Sequence, residues 1–321
     1  MAEHAMLNRH TDHLESHECY THNMIGFRSR LSTQDAMRLM HQITDSTSAD
    51  TKAINGLDLE KAVDNMSHAF ILTSFHVGKR AYNFGRSFLS LKSKLLKIDE
   101  LLTHEILLRP KGTPQWAVIS LTQLNISMIN LLRAMNKIPN ITHRVNTGDI
   151  TMWCTSGCEG HVEGAFQEDI DVTEQYLIPT RLRRSPAKSE LLLYKKRPRD
   201  GSHRSWKPAT QSHTTLFACN GSLVPWVDTI RVLEVFIDSN GANGAALERI
   251  CSMTESALGL IQRIANRYGG IREDNLTRII RAFVLFHLAY SAAMHKWFVS
   301  ERKKMYALIR RAFKLALGFP V

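Results

Sequence analysis

One aspartate of this sequence stands where a ligand or a metal could be held. Asp58 follows a short apolar run, 53–57, that is typical of a buried strand, and residues at helical spacing begin directly after it. The carboxylate is therefore predicted at the carboxyl end of a strand, where open α/β sheets place their ligands. The alternative is a structural role, because aspartate also caps ordinary helices. Taken alone, the stretch favours the helix cap.

Six segments, taken together, indicate a family. They are GFRSRLSTQDA (26–36), LDLEKAVDN (57–65), KGTPQWAVIS (111–120), VNTGDITMWC (145–154), SPAKSELLLY (185–194) and DTIRVLEVFI (228–237). In order and spacing, the series resembles the motifs of reverse transcriptases from non-LTR (LINE-type) retrotransposons, in particular transposon copies of arthropods such as ticks. The resemblance covers most of the chain. It implies a right-hand polymerase fold of the α+β class and RNA-directed DNA polymerase activity.

The resemblance assigns the chemistry to carboxylates and one lysine. Asp58 matches the metal-binding aspartate of the first catalytic motif, and Lys188 matches the fourth-motif lysine that assists the departing pyrophosphate. The third motif of the family ends in two aspartates, of which Gly148 replaces the first and Asp149 retains the second. The family implies two Mg²⁺ ions, here left to Asp58 and Asp149. Because neighbouring strand residues point to opposite faces, we expect Asp149 not to take over the missing role without a register change.

The same resemblance implies a nucleotide pocket. Arg28 would lie near the template or the incoming triphosphate, because a guanidinium grips phosphate oxygens bidentately; an exposed loop arginine is the alternative. Gln115 matches the pocket glutamine, but Trp116 replaces the glycine after it and should crowd the site. Val63 stands where the family carries an aromatic residue that rejects a 2′-hydroxyl. The implied partners are an RNA template, a DNA primer and deoxynucleoside triphosphates.

Apolar periodicity predicts the elements that must position these residues. A β-hairpin is predicted over 141–154, although its residues 146–149 also suit a plain turn. Strands are predicted at 191–194 and 228–237, and helical patterns at 36–43, 66–88, 118–132, 162–176 (broken by Pro179), 247–268, 275–297 and 302–317. By resemblance, residues 1–240 form the fingers and palm, and residues 241–321 form a helical thumb.

Composition is compatible with this assignment. The excess of 41 Lys and Arg over 30 Asp and Glu gives a net charge of +11, which suits a nucleic-acid partner but also occurs in basic proteins without one. The five scattered cysteines are unlike a secreted disulfide framework. No apolar run is long enough for a signal peptide or a membrane span. We expect an intracellular protein of the nucleus or cytoplasm, not secreted and without a membrane partner.

Two functions are compatible with these features. The first is a reverse transcriptase domain whose nucleotidyl transfer is impaired by the missing carboxylate at Gly148. The alternative is an inactive retroelement relic that retains only the fold and nucleic-acid binding. Primer extension separates the two.

Overall fold

The computed structural model describes a defined part of the chain. The described residues are 2–32, 34–35, 38, 52–74, 78–90, 93–95, 97–98, 101–102, 106–107, 110–115, 117–146, 148–155, 157–195, 215–218, 221–265, 271–292, 295–317 and 319. Trp116 and most of the helix predicted at 36–43 lie outside them. The chain folds into two compact units. One comprises Met1–Ala36, Ser46–Leu193 and Thr210–Val227, and the other comprises Met37–Asp45, Tyr194–Ala209 and Asp228–Val321.

The first unit combines a four-stranded sheet with helices. Its helices are α1 (Ala2–Ser16), α2 (Ala62–Asn65), α3 (His68–Ser74), α4 (Lys79–Leu89), α5 (Ser120–Met135) and α6 (Glu159–Thr180). The sheet strands are β1 (Lys52–Asp58), β6 (Thr142–Asn146), β7 (Asp149–Cys154) and β8 (Glu190–Tyr194), in the order β6-β7-β1-β8. Two further antiparallel pairs are β2 (Ser93–Lys94) with β5 (Ile106–Leu107), and β3 (Lys97–Ile98) with β4 (Leu101–Leu102).

The central strands β1 and β7 are buried, and one face of the sheet packs against α6. On that face His143 of β6 contacts Asp169 of α6, with 2.8 Å between His Nε2 and Asp Oδ2 and almost no exposure of either side chain. Burial raises the pKa of Asp169, although the hydrogen bond from His143 opposes the shift. Side chains alternate along a strand, so residues three positions apart lie on opposite faces. Asp58 therefore faces away from α6, whereas Asn55 faces towards it.

Two predictions for the first unit are corrected by the structure. The pattern at 66–88 forms two described helices, α3 and α4, rather than one. Pro179 lies inside α6, which ends one residue later at Thr180. Proline lacks only its own N–H, so within the last turn it costs one backbone bond and does not stop the helix earlier. Arg181 then ends the helix in the left-handed conformation, with φ 64°.

The second unit contains a β-hairpin and a helical group. Its elements are β9 (Thr229–Val232), β10 (Val235–Asp238), α7 (Gly244–Ile264), α8 (Glu273–Ile280), a π-helical segment (Arg281–Leu285), α9 (Phe286–Ala292) and α10 (Val299–Ala316). The helices share a core that includes Ile250, Ile261, Ile280, Val284 and Met305. Within the described residues, no helix is both long and apolar enough to cross a membrane.

The strand predicted at 228–237 is a hairpin, because two residues in the left-handed region turn the chain. Leu233 has φ 48° and Glu234 has φ 67°. Positive φ at both central positions is the requirement of a type I′ turn, which glycine normally satisfies. The Tyr290 hydroxyl donates to the Leu233 carbonyl at 2.8 Å and helps to hold this strained turn. The helix predicted at 275–297 is interrupted by the π-helical segment.

Candidate active site

The two predicted metal-binding aspartates lie directly opposite each other. Asp58, the last residue of β1, pairs with Asp149, the first residue of β7. Directly opposed residues of an antiparallel pair share a face, with their Cβ atoms about 4.5–5.5 Å apart. The Leu59 amide donates to the Gly148 carbonyl at 3.0 Å and extends the pairing past the strand end. The sheet therefore brings both carboxylates to one edge and one face.

This pairing corrects our expectation that Asp149 points away from the site. That expectation assumed that Gly148 lies on the strand and faces Asp58. Instead Asn146 pairs with Asp149, so only residues 147 and 148 connect β6 to β7. Gly148 belongs to the turn, and Asp149 takes the first strand position on the same face as Asp58. No register change is required.

Gly148 has room for a Cβ atom. A Cβ built at this position would lie 3.4 Å from the Ala62 Cβ and 3.9 Å from the Leu59 carbonyl oxygen, both ordinary separations. Its backbone is outside the left-handed region that would favour glycine. The absence of a carboxylate at this position is therefore a property of the sequence and is not imposed by the turn.

Lys188 reaches the same edge. Its Nζ lies 3.3 Å from Asp58 Oδ2, with the lysine side chain 71% exposed and the aspartate side chain 23% exposed. Ser185 positions the lysine, because its amide donates to the Asp58 carbonyl at 2.7 Å while its own carbonyl accepts from the Lys188 amide at 3.3 Å. An ion pair this exposed contributes at most about 1 kcal/mol, so the lysine is free to exchange partners.

The donor set fits a small hard cation. Mg²⁺ is commonly bound by one or two carboxylates together with substrate phosphates and water, and Asp58 and Asp149 supply two carboxylates on one face. Among the described residues, no group of three or more His, Cys, Asp and Glu side chains is arranged to hold a metal. The protein thus provides two carboxylates, and substrate phosphates and water would supply the remaining ligands.

The turn that carries Gln115 is clamped onto α2. The Gly112 amide donates to the Met66 carbonyl and the Thr113 amide donates to the Val63 carbonyl, both at 2.7 Å. Gly112 has φ 76°, and a Cβ there would lie 2.5 Å from the Asp64 carbonyl oxygen. Contacts this short do not occur in real structures, so the turn reaches its position only with glycine.

Side chains reinforce this clamp. Gln115 Nε2 lies 2.9 and 3.0 Å from the two carboxylate oxygens of Asp64, and His68 Nε2 lies 2.6 Å from the Gly112 carbonyl oxygen. Val63 is half-buried on the same short helix, which begins soon after Asp58. The structure therefore gathers Val63 and Gln115 around α2, next to the strand that ends at Asp58.

Asp64 and His68 were not singled out from the sequence. Asp64 lies within the quoted segment LDLEKAVDN, so the family pattern, which ends in an aspartate, was a usable signal. His68 carried no such signal, because its contact with Gly112 joins residues 44 positions apart. Only the folded chain brings the two together.

Arg28 binds residues of α1 and of the segment that follows α1. Its Nε and Nη2 donate to the Glu15 carboxylate at 2.9 and 2.5 Å, and its Nη1 donates to the carbonyls of Thr21 and Met24. The guanidinium also lies 4.8 Å from the centre of the Tyr20 ring. These contacts tie α1 to the segment after it, and the predicted place of Arg28 near a phosphate stays a prediction.

Comparison with known proteins supplies a family and a fold. The model of the family "Reverse transcriptase (RNA-dependent DNA polymerase)" matches residues 4–233. No curated protein matches the chain. Among solved structures, apo telomerase from Candida tropicalis is 8% identical, with a TM-score of 0.50, over 99% of this chain and 54% of that chain. A form truncated from its C-terminal domain is 10% identical, with a TM-score of 0.48, over 74% and 43%.

A third similar structure is telomerase from Candida albicans in complex with a TWJ fragment of telomeric RNA. It is 9% identical, with a TM-score of 0.40, over 98% of this chain and 52% of that chain. The chain thus spans about half the length of the solved telomerases it matches. The predicted fold class, an α+β polymerase fold, is confirmed by the family match and the fold similarity to apo telomerase.

Proposed function

Since the chain belongs to the reverse transcriptase family, we propose that it is an RNA-directed DNA polymerase domain that adds deoxynucleotides to a DNA primer on an RNA template. The observation that carries the proposal is the direct pairing of Asp58 with Asp149 on one sheet face. The series of six segments further supports an origin in a non-LTR retrotransposon. We assign the fingers and palm to residues 1–240 and the thumb to residues 241–321.

Asp58 and Asp149 would hold Mg²⁺ at this edge. Two such ions, when bound, stabilise the attacking and leaving oxygens of an in-line phosphoryl transfer. Lys188 is within reach of the same carboxylate and carries the charge that suits the departing pyrophosphate. Gln115, oriented by Asp64, and the half-buried Val63 would line the nucleotide sugar. The short valine side chain leaves more space there than an aromatic ring would.

Gly148 supports a weakened polymerase. The family carries a carboxylate at this position, and its loss removes negative charge that would compensate the metal ions. A charge-stabilising group at a reacting centre is worth several kcal/mol, so a rate loss of about 10³-fold is expected relative to a chain with all three carboxylates. The same observation supports the second candidate, a retroelement relic that binds nucleic acid without extending it.

Primer extension on an RNA template, with Mg²⁺ or Mn²⁺, tests the proposal. The wild type is compared with Gly148→Asp, and with Gly148→Asp combined with Trp116→Gly. Because a Cβ fits at position 148, we expect Gly148→Asp to fold, and restoring the carboxylate should speed primer extension by at least about tenfold and by up to about 10³-fold. Slow extension by the wild type is expected above background.

Two further variants identify the carboxylates in use. Asp58→Asn and Asp149→Asn should each abolish extension, and Asp12→Asn, in exposed α1, is the matched control that should not. Unchanged extension by Asp149→Asn would remove Asp149 from the metal site. Extension by none of the chains, including the variants restored at 116 and 148, would favour the relic.

A further inference from the structure

A depression on the first unit lies beside the segment that carries Asp58. It has a volume of about 300 Å³ and is lined by Asn65, Pro110, Lys111 and Arg181. These residues come from the end of α2, the turn at 110–115 and the residue after α6. The volume is at the small end of the range for ligand pockets. The depression is therefore large enough for a phosphate group or a short polyphosphate.

Backbone hydrogen bonds fix the walls of the depression. The Ser67 amide donates to the Thr180 carbonyl at 2.9 Å, which joins α6 to the segment after α2. On the other side of that segment, Ser67 forms a β-bridge with Lys111, and the Gly112 amide bonds to Met66. The three walls are therefore held together before any ligand binds, which lowers the entropy cost of binding.

Among the lining residues that the structure describes, two carry a positive charge and none carries a carboxylate. Lys111 Nζ donates to the neutral Asn65 Oδ1 at 2.8 Å, which orients the ammonium and leaves two of its three hydrogens available. The exposed Arg181 guanidinium has no hydrogen bond or ion pair to any residue that the structure describes. Asp64 is the acidic residue next to Asn65 in the sequence. Its carboxylate accepts hydrogen bonds from Gln115 and not from Lys111.

Three other cations of this unit form ion pairs. Arg28 pairs with Glu15, Arg184 pairs with Glu174, and Lys188 pairs with Asp58. Within the described part of the chain, Lys111 and Arg181 form no ion pair, although they share a concave site. Two cations held near each other repel unless an anion joins them, so an anionic ligand would be favoured here.

We propose that this depression is a phosphate-binding site, distinct from the carboxylate pair, whose ligand is a phosphate-bearing molecule. Arg181 supplies a planar fork for two phosphate oxygens, and Lys111 supplies a compact point charge. The shared chemistry fits a free polyphosphate and also the phosphodiester backbone of a nucleic acid. The inference does not require the carboxylates to bind metal or the chain to extend a primer.

Binding in the presence of EDTA tests the site apart from any metal. Pyrophosphate is titrated by calorimetry, and a short labelled RNA is titrated by fluorescence anisotropy at low salt. In the double variant Lys111→Gln with Arg181→Gln, we expect the dissociation constant of at least one of the two to rise at least about tenfold, because two charge-assisted contacts are lost. Glutamine at 181 keeps the same backbone strain as arginine.

The matched control removes the same charge elsewhere on this unit. Lys137→Gln with Arg183→Gln alters two exposed cations outside the lining and should change binding less than about threefold. The exchange Lys111→Arg with Arg181→Lys keeps both charges and should retain binding. An effect on pyrophosphate identifies a free polyphosphate as ligand, and an effect on the RNA alone identifies its backbone.

Three results would overturn the proposal. The first is that Lys111→Gln with Arg181→Gln (the cavity variant) weakens binding no more than the control variant does. The second is that the cavity variant is folded and its dissociation constants are unchanged. The third is that the wild type binds neither pyrophosphate nor the RNA. Unfolding midpoints establish that each variant is folded. If the cavity variant unfolds, the exchange Lys111→Arg with Arg181→Lys is used instead. If that exchange variant is folded but does not bind, the result also counts against the site. Primer extension by the same chains is scored separately, so failure of the catalytic proposal leaves this result unaffected.

Discussion

Replacing Gly112 by alanine should release the turn that carries Gln115. The new Cβ would lie 2.5 Å from the carbonyl oxygen and 2.9 Å from the Cα of Asp64, both backbone atoms that cannot swing aside. The turn must therefore move away from α2. Moving it breaks or lengthens the two 2.7 Å hydrogen bonds to Met66 and Val63.

The expected loss of unfolding free energy is the sum of three contributions. A non-glycine residue at positive φ costs about 1–2 kcal/mol, and each lost backbone hydrogen bond costs about 0.5–1.5 kcal/mol. Alanine recovers about 0.4–1 kcal/mol by restricting the unfolded chain. The expected net loss is about 1–5 kcal/mol. If the turn detaches locally, global stability falls by less, and the loss appears as faster amide exchange at 112–113.

Two other glycines separate the cost of the positive φ from the cost of the short contact. Gly221 has φ 78°, but no atom lies within 4 Å of the position that a Cβ would take, so Gly221→Ala should show the backbone cost alone. Gly148→Ala has neither positive φ nor a short contact and should be neutral within about 1 kcal/mol. The assay is urea unfolding followed by circular dichroism, with hydrogen exchange of the turn. One contrary result is that Gly112→Ala changes neither the free energy of unfolding nor the amide exchange at 112–113, and another is that it changes them only as much as Gly221→Ala does. Either result would show that close packing against α2 does not hold the turn in place.

Four further results are expected. Glu234→Gly should raise the free energy of unfolding by about 0.5–1 kcal/mol in urea titrations, because it removes left-handed strain and loses only an exposed ion pair; a decrease would contradict this. In a Gly148→Asp background, Val63→Phe should lower ribonucleotide incorporation about tenfold in primer extension, and equal incorporation would leave Val63 as a packing residue. Because burial raises the pKa of Asp169, its folded form keeps a proton that the unfolded form releases near pH 4. Stability should thus fall as pH rises above about 4, and Asp169→Asn should remove that part of the pH dependence in urea unfolding; an identical dependence would refute it. RNA binding should weaken with salt, with a logarithmic slope of roughly −0.7 per neutralised phosphate, and a flat profile would exclude phosphate contacts.

Local patterns were sufficient for part of this structure. The hairpin at 141–154 was predicted correctly because strand alternation and turn residues are local signals. Asp58 was placed at a strand end for the same reason. The face of Asp149 was predicted wrongly, because it depends on whether residue 148 belongs to the turn or to the strand. Register is fixed by pairing with β1, which lies far back along the chain, and no local signal reports it.

Long-range contacts account for the other differences. Arg28 donates to the carboxylate of Glu15, which lies 13 positions away on α1, a contact that the local segment does not predict. The double left-handed turn at Leu233 and Glu234 has none of the usual glycine or asparagine, and Tyr290 helps to hold it from a distant helix. In both cases a partner outside the local segment decides the conformation. The residues next to each position do not report that partner.

The two-residue connection between β6 and β7 makes the position of Asp149 sensitive to insertions and deletions. Substitutions at most strand positions leave the pairing intact, so the fold can persist through many of them. A one-residue insertion or deletion after Asn146 is different, because it would turn every following side chain of β7 to the other face. Asp149 would then point towards α6, and the face that carries Asp58 would lose its second carboxylate. Loss of the carboxylate pair therefore requires no substitution of either aspartate, because a length change at the turn is sufficient.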